Sequence, residues 1–160
     1  MQKLTFKYNF KKDFYEIFED GQICYTAHYL NCFFKITQRF SVRNTDGQDL
    51  IKLTTKDRLL IFSIVKIEIF NEELDGYEEA KICHTIKLVR NKFKLYYQSK
   101  YYLFDRKSLC DTDSNLLVKF ECETKSCGDA VIHLLSENVK LFAIAITTLF
   151  LIDFIGEKYE

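Results

Sequence analysis

The stretch that most constrains this chain lies near its end, in "VKLFAIAITTLFLID", where Leu141 to Ile152 carry no charge. As a helix, those residues would extend about 18 Å, well short of the roughly 30 Å hydrocarbon core of a bilayer. We therefore expect a helix buried inside the protein, and a helix that is apolar all round must be enclosed on every side. A transmembrane or tail-anchor segment and a long buried strand remain as alternatives.

The rest of the chain alternates apolar and polar residues with a period of two, which is typical of strands with one buried face. In "LTFKYNF", we expect four residues to face the core: Leu4, Phe6, Tyr8 and Phe10. Gly accepts a positive φ and Asp supports a turn with its side chain, so Asp-Gly dipeptides between such runs indicate turns. Three occur, at Asp20-Gly21, Asp46-Gly47 and Asp75-Gly76.

Counting the runs predicts roughly eleven strands. They are residues 3–10, 13–19, 22–29, 33–43, 48–54, 59–70, 79–89, 93–98, 101–105, 116–123 and 129–134. An open sheet of that size leaves two unpaired edges, which closure into a barrel removes. Such a barrel is too wide for its own side chains to fill. We predict an all-β fold with one helix: a closed antiparallel barrel of about twelve strands around a buried hydrophobic C-terminal helix.

This pattern resembles the tubby C-terminal-like superfamily, which includes the tubby domains, the plant LURP-one-related proteins and the phospholipid scramblases. "YEIFEDGQICYTA" is similar to the LURP-one-related strand, acidic-Gly turn and return strand. "FFKITQRFSVRNTDGQDLIKL" repeats it with the apolar pair Leu50 and Ile51, and the apolar terminal segment resembles the closing helix. The resemblance implies one barrel domain over residues 1–160.

Basic residues supply the candidate site. Lys35, Arg39 and Arg43 project from one face of a predicted strand. A second group surrounds a predicted turn in "IKLVRNKFK": Lys87, Arg90, Lys92 and Lys94. The resemblance to tubby domains implies that such a patch binds phosphoinositide or other anionic phospholipid at the membrane surface. Neither group aligns with the tubby lipid-binding motif, and a solvated strand face with interspersed acids is the alternative.

Several other functions find no support in the sequence. The chain has 23 basic and 23 acidic residues, so no net charge attracts it to nucleic acid or to a membrane, and an electrostatic partner must be recognised by a local patch. It lacks a nucleophile elbow and a glycine-rich phosphate loop. His84 is expected in the core, and "CDTDSN" lacks the glycine and the bidentate Glu of a calcium loop, so we interpret it as a turn. We expect no enzyme, metal or cofactor.

Cysteine usage bears on the compartment. The opening residues, "MQKLTFKYNFKKDFYEIF", contain no apolar signal-peptide core. We therefore expect free thiols in a reducing compartment at all six cysteines: Cys24, Cys32, Cys83, Cys110, Cys122 and Cys127. The prediction is a non-catalytic binding or regulatory module, cytoplasmic or peripheral at a membrane, whose partner is anionic phospholipid or another protein. A carrier whose barrel holds a fatty acid or other apolar ligand is the alternative function.

Overall fold

The computed structural model describes residues 1–30, 37–58, 62–83, 93–105, 107–122 and 129–159. Twelve strands precede one α-helix. The strands are β1 (Gln2–Asn9), β2 (Phe14–Glu19), β3 (Gln22–Leu30), β4 (Thr37–Asn44), β5 (Asp49–Arg58), β6 (Phe62–Asn71), β7 (Gly76–Cys83), β8 (Phe93–Tyr97), β9 (Lys100–Phe104), β10 (Ser108–Asp111), β11 (Leu116–Cys122) and β12 (Ala130–Leu134). A short 3-10 turn (Glu137–Val139) leads into the helix α1 (Lys140–Tyr159).

The strands close into a barrel in which every neighbour in sequence is also a neighbour in space. All pairs are antiparallel, and β1 completes the circle by pairing with β12, with Leu4 opposite Ile132. Closure leaves no strand edge unpaired, which removes the edge-to-edge association that open sheets risk. The predicted fold class is therefore confirmed, including the helix within the barrel.

Two local predictions are wrong. Strand β10 was not predicted, because its four residues are too few to show an alternation. Phe10 does not face the core: β1 ends at Asn9, and the Phe10 side chain is 71% exposed at the tip of the following turn. The Asp-Gly turns are confirmed at Asp20-Gly21 and Asp46-Gly47, where the glycines adopt φ angles of 80° and 82°.

The barrel interior is filled from two directions. Inward side chains of the strands include Leu4, Phe6 and Ile132, all with no exposed surface. From the axis, residues 142–148 of α1 are all buried. Phe142 stacks on Tyr97 of β8 at 4.8 Å between ring centroids and lies 5.3 Å from the ring of Tyr102 on β9. Full burial of each large apolar side chain contributes about 1.5–3 kcal/mol, so the helix supplies a major part of the core.

The polar residues of the buried helix satisfy their hydroxyls locally. Thr147 donates to the carbonyl of Ala143 and Thr148 to that of Ile144, each at 2.8 Å. Returning a hydroxyl proton to the preceding turn avoids the cost of an unpaired buried donor. Within the described residues, no helix combines the length and the apolar character that crossing a membrane requires.

Candidate functional site

The predicted arginines lie on the outward face of β4, but they differ in environment. Arg39 is exposed and lies between Leu30 of β3 and Thr54 of β5. Arg43 donates from Nε to Oδ1 of Asp49 at 2.7 Å, and both side chains are about one-third exposed. Arg43 is thus already paired with a carboxylate, whereas Arg39 has no ion pair with another described residue. Four predicted residues lie outside the described part of the chain: Lys35, Lys87, Arg90 and Lys92.

Lys94 lies on β8, which three strands, β5 to β7, separate from the predicted arginines on β4. Its ammonium lies 4.2 Å from the ring centroid of Tyr101 on β9. An ammonium over a ring face gains about 0.5–1 kcal/mol at an exposed site and keeps its charge available to a second partner. The three described members of the predicted site therefore do not form one compact cluster.

Cross-strand register connects Arg39 to Lys94 through two lysines that the sequence analysis did not select. Arg39 pairs with Thr54, and Thr54 pairs with Lys66 of β6. Ile67 pairs with Ala80, so the adjoining residues Lys66 and Lys81 face each other across β6 and β7. Lys81 in turn pairs with Tyr96 of β8, two residues from Lys94. We call Arg39, Lys66, Lys81 and Lys94 the basic band.

The basic band also borders acidic side chains. Lys66 Nζ lies 3.0 Å from Oε1 of Glu68, and this hydrogen bond raises the pKa of Lys66. Exposed ion pairs of this kind contribute little to stability, so the pair leaves the lysine free to exchange partners. Lys81 and Arg39 are exposed on the same face. The band presents four cations along a third of the barrel's circumference, from β4 to β8.

Charge is segregated along the barrel axis. Six turns meet at the end of the barrel where α1 begins: residues 20–21, 45–48, 72–75, 98–99, 112–115 and 135–139. The structure describes all of these turn residues, and among them there are seven acids and no lysine or arginine. The acids are Asp20, Asp46, Glu72, Glu73, Asp75, Asp113 and Glu137. We call this end the acidic mouth, and the other end, where the turn 10–13 lies, the far mouth.

Because the charges are segregated, a net charge of zero does not mean that charge is evenly balanced along the barrel. Acidic and basic residues balance over the whole chain, so all residues outside the acidic-mouth turns together carry an excess of seven positive charges. The macrodipole of α1 has its positive end at the acidic mouth, where carboxylates are favourable. The acids thus have a structural reason to gather at one end, and the rest of the chain carries the positive excess.

The inner rim of the acidic mouth contains a partly buried ion pair. Lys140, the first residue of α1, places Nζ 2.8 Å from Oε2 of Glu19, and both side chains are about one-fifth exposed or less. Burial is the largest influence on Lys140 and opposes its charge, but the hydrogen bond to Glu19 and the nearby charges of Glu19, Tyr25 and Glu137 together outweigh it, and the pKa of Lys140 is raised. The side-chain amide of Gln2 also donates to Glu19. This pair fixes the start of the helix relative to β2.

An open groove lies on the outer face of β1 and β2. Its volume is about 370 Å³. Lys7 Nζ lies 5.7 Å from the ring centroid of Phe18 across it. Two ammonium groups, a hydroxyl and an aromatic face suit a small anion, although one acid also borders the groove. The lining residues are Lys3, Thr5, Lys7, Phe18, Asp20 and Gly21.

The acidic turn after β10 is a structural turn, as expected. Oδ1 of Asp111 accepts hydrogen bonds from the backbone N–H groups of Asp113 and Asn115, at 2.9 and 2.8 Å. Its Oδ2 accepts from the side-chain amide of Asn115 at 2.9 Å. These bonds from Asn115 lower the pKa of Asp111. Among the described residues, no group of three His, Cys, Asp or Glu side chains is arranged to hold a metal ion.

Two histidines and two cysteines have described side chains, and all four are partly exposed. His28 places Nε2 2.7 Å from Oγ1 of Thr26, and burial lowers its pKa. His133 places Nε2 3.3 Å from Oε2 of Glu121. His84 lies outside the described residues. Cys24 and Cys110 are free thiols, which confirms the expectation for these two.

Comparisons with known proteins add no family to this description. A scan against protein-family models found no match, and neither did searches of the curated proteins and of the solved structures. The function must therefore be argued from the surface of the barrel itself.

Proposed function

We propose that this chain is a non-catalytic binding module that attaches to anionic phospholipid headgroups at a membrane surface. The observation that carries the proposal is the segregation of charge along the barrel axis: the acidic-mouth turns hold seven acids, which leaves an equal positive excess on the rest of the chain. A protein of zero net charge is then attracted to an anionic surface in one orientation and repelled in the other.

The basic band supplies cations for such contact. It lies in the half of the barrel toward the far mouth, since Lys94 is the second residue of β8 and Lys81 lies near the end of β7. Each lysine or arginine near an anionic surface contributes about 1 kcal/mol. Arg39 also offers a planar guanidinium that matches phosphate oxygens with two hydrogen bonds. Neighbouring band members on two or three strands are sufficient for weak, reversible attachment.

Phosphoinositides are the finer proposal. The resemblance to tubby domains supports them, and their multiple phosphates suit closely spaced cations better than a single phosphodiester does. This step rests on analogy of fold, which is weaker support than the charge distribution. Lys35, Lys87, Arg90 and Lys92 stay in the proposal as predicted contributors.

Vesicle flotation tests the proposal. Wild-type protein should float with phosphatidylcholine vesicles that contain phosphatidylserine or a phosphoinositide, and should not float with phosphatidylcholine alone. The double variant Arg39→Glu with Lys94→Glu should bind at least about 30-fold more weakly, since it removes two cations worth about 1 kcal/mol each. Salt of about 1 M, where the Debye length is about 3 Å, should release the wild type.

The chain offers a matched control for the single variant Lys94→Glu, which makes half of that change of charge. Lys100 is an exposed lysine at the start of β9, beside the acidic mouth. Lys100→Glu makes the same change of charge as Lys94→Glu alone, but at the end that faces away from the membrane, so binding should hardly change. Equal loss of binding in Lys94→Glu and Lys100→Glu would mean that only the net charge matters and not its position. Equal flotation with neutral and anionic vesicles would contradict the proposal.

The carrier alternative requires space inside the barrel. In the described part of the chain that space is occupied by α1, whose Ala143, Ile144 and Ala145 have no exposed surface. Native mass spectrometry of protein purified without detergent separates the two functions. A bound apolar ligand at unit stoichiometry would favour the carrier.

A further inference from the structure

One aromatic side chain is left in solvent at the tip of a short turn. Phe10 is 71% exposed, more than any other large hydrophobic residue of the described chain except Met1. It begins the turn between β1 and β2 at the far mouth and is followed by two exposed lysines, Lys11 and Lys12. Phe is usually buried in a protein core, so a Phe that is exposed beside two cations is unusual.

The turn that presents Phe10 is held by its own hydrogen bonds. The backbone carbonyl of Asn9 accepts from the N–H of Lys12 at 3.2 Å and of Asp13 at 2.8 Å. The side-chain oxygen of Asn9 accepts from the N–H groups of Lys11 and Lys12, at 3.1 Å each. Asp13 adopts a φ of 59° to close the turn, and the Tyr8 hydroxyl donates to its carboxylate. The tip is therefore ordered before any partner arrives, which lowers the entropic cost of binding.

Packing does not explain the position of Phe10. Its ring meets Tyr8 edge-on at 4.9 Å between centroids, which supports one side of the ring and leaves most of its surface in water. Lys12 makes one long ion pair with Glu16, at 3.5 Å. The tip thus combines an apolar anchor with two cations of which one is weakly paired.

We propose that Phe10 is a membrane anchor: its ring inserts into the interfacial region of an anionic bilayer while Lys11 and Lys12 contact the headgroups. This inference rests on the proposed function, because the same charge segregation turns the far mouth toward the membrane. It goes further in naming the element that enters the bilayer. Phe is among the apolar side chains that bury into the boundary between headgroups and acyl chains, and one apolar anchor with neighbouring cations gives reversible attachment.

The acidic mouth contains a matched comparison. Leu74 is 64% exposed at the tip of the turn between β6 and β7, and its neighbours are Glu73 and Asp75. Phe10 and Leu74 are both large, apolar, exposed and located at turn tips, but at opposite ends of the barrel. Their flanking charges are of opposite sign, so an anionic bilayer attracts the first tip and repels the second.

The chain contains no tryptophan, so a single substitution creates a unique fluorescent reporter. We would prepare Phe10→Trp and Leu74→Trp and add vesicles of phosphatidylcholine with phosphatidylserine. The emission of Phe10→Trp should shift to shorter wavelength and be quenched by lipids brominated in their acyl chains. The emission of Leu74→Trp should stay unchanged under both conditions. Neutral phosphatidylcholine vesicles should change neither variant.

The loss of the anchor should also be measurable as affinity. Phe10→Ala should lower the vesicle partition coefficient about tenfold, equivalent to about 1.4 kcal/mol. Because the side chain is exposed, the variant should unfold at the wild-type urea concentration, which shows that lost binding does not come from lost structure.

The outcomes separate the inference from the proposed function. If wild-type protein floats with anionic vesicles but Phe10→Trp emission does not change, the anchor is refuted and electrostatic attachment stands. The same conclusion follows if Phe10→Ala binds as wild type does. If no vesicle binds the protein, both the inference and the proposed function fail.

Discussion

The two mouths of this barrel are built from the same kind of antiparallel connection, yet they differ in charge and in packing. The acidic mouth holds seven acids in its turns, the partly buried ion pair of Lys140 with Glu19, and the aromatic contact between Phe142 and Tyr97. The far mouth presents Lys11, Lys12 and the exposed ring of Phe10. We infer a division of roles: the acidic mouth fixes the helix, and the far mouth meets the partner.

The direction of the helix explains why the charges are placed this way round. Carboxylates near a helix N-terminus are stabilised by the macrodipole by about 0.3–1 kcal/mol at exposed sites. Acids placed at the mouth where α1 begins therefore support the fold, while the same acids at the far mouth would oppose both the dipole and an anionic partner. The chain has no net charge, yet its two mouths differ in charge, because the dipole of α1 favours carboxylates at only one of them.

The largest effect is expected from a substitution that destabilises the acidic mouth and leaves the far mouth unchanged. Phe142 is 1% exposed and stacks on Tyr97 and Tyr102, so Phe142→Ala removes ring contacts and leaves a cavity. The free energy of unfolding should fall by about 3–5 kcal/mol. Urea denaturation followed by circular dichroism measures it.

The control for Phe142→Ala is Leu74→Ala, an exposed position at the same mouth, which should change stability by less than about 0.5 kcal/mol. Vesicle binding by the folded fraction should be the same in both variants. Weaker binding by Phe142→Ala at full folding would mean that the two mouths are not independent.

The next effect concerns pH. Burial, reinforced by the carboxylate of Glu78, raises the pKa of Tyr97 to about 12. A free phenol titrates near 10, so the folded state favours the neutral ring, and that stability is present below about pH 10 and lost as pH rises toward 12. The loss for this residue should reach about 2–3 kcal/mol.

Urea midpoints measured between pH 9 and pH 12 test the prediction. Tyr97→Phe should unfold with a shallower dependence on pH than the wild type, because the phenol that must stay neutral is gone. Equal slopes in the two proteins would mean that other groups cause the loss of stability at alkaline pH and that Tyr97 does not contribute to it.

Sequence patterns predicted most of the fold because a strand with one buried face alternates apolar and polar residues, and this alternation is visible in the sequence. They did not locate Phe10, since an alternation cannot show where a strand stops; the hydrogen bonds that Asn9 makes end β1 one residue earlier. They missed Lys66 and Lys81 for a different reason. These lysines join Arg39 and Lys94 only through the register of four intervening strand pairs, and register depends on the whole closed sheet.

The smallest expected effect is a difference in vesicle binding between variants of two arginines on the same strand, Arg39 and Arg43. Arg43 is bonded to Asp49 at 2.7 Å near the acidic mouth, whereas Arg39 is exposed nearer the far mouth. Arg43→Gln should weaken vesicle binding by less than about twofold and cost less than about 1 kcal/mol of stability. Arg39→Gln should weaken binding about fivefold, the value of one cation at an anionic surface. Flotation of both variants measures the contrast, and a larger effect at Arg43 would reverse our assignment.

The central claim is that the distribution of charge, not its total, directs this protein to anionic membranes. The most direct test exchanges charges between the mouths in one variant that combines Lys11→Glu, Lys12→Glu, Glu72→Lys and Glu73→Lys, which leaves the net charge at zero. We predict that this variant folds, with a slightly lower urea midpoint because two carboxylates leave the end where α1 begins, and that it floats with anionic vesicles at least about 30-fold more weakly. Binding equal to that of the wild type would contradict the account.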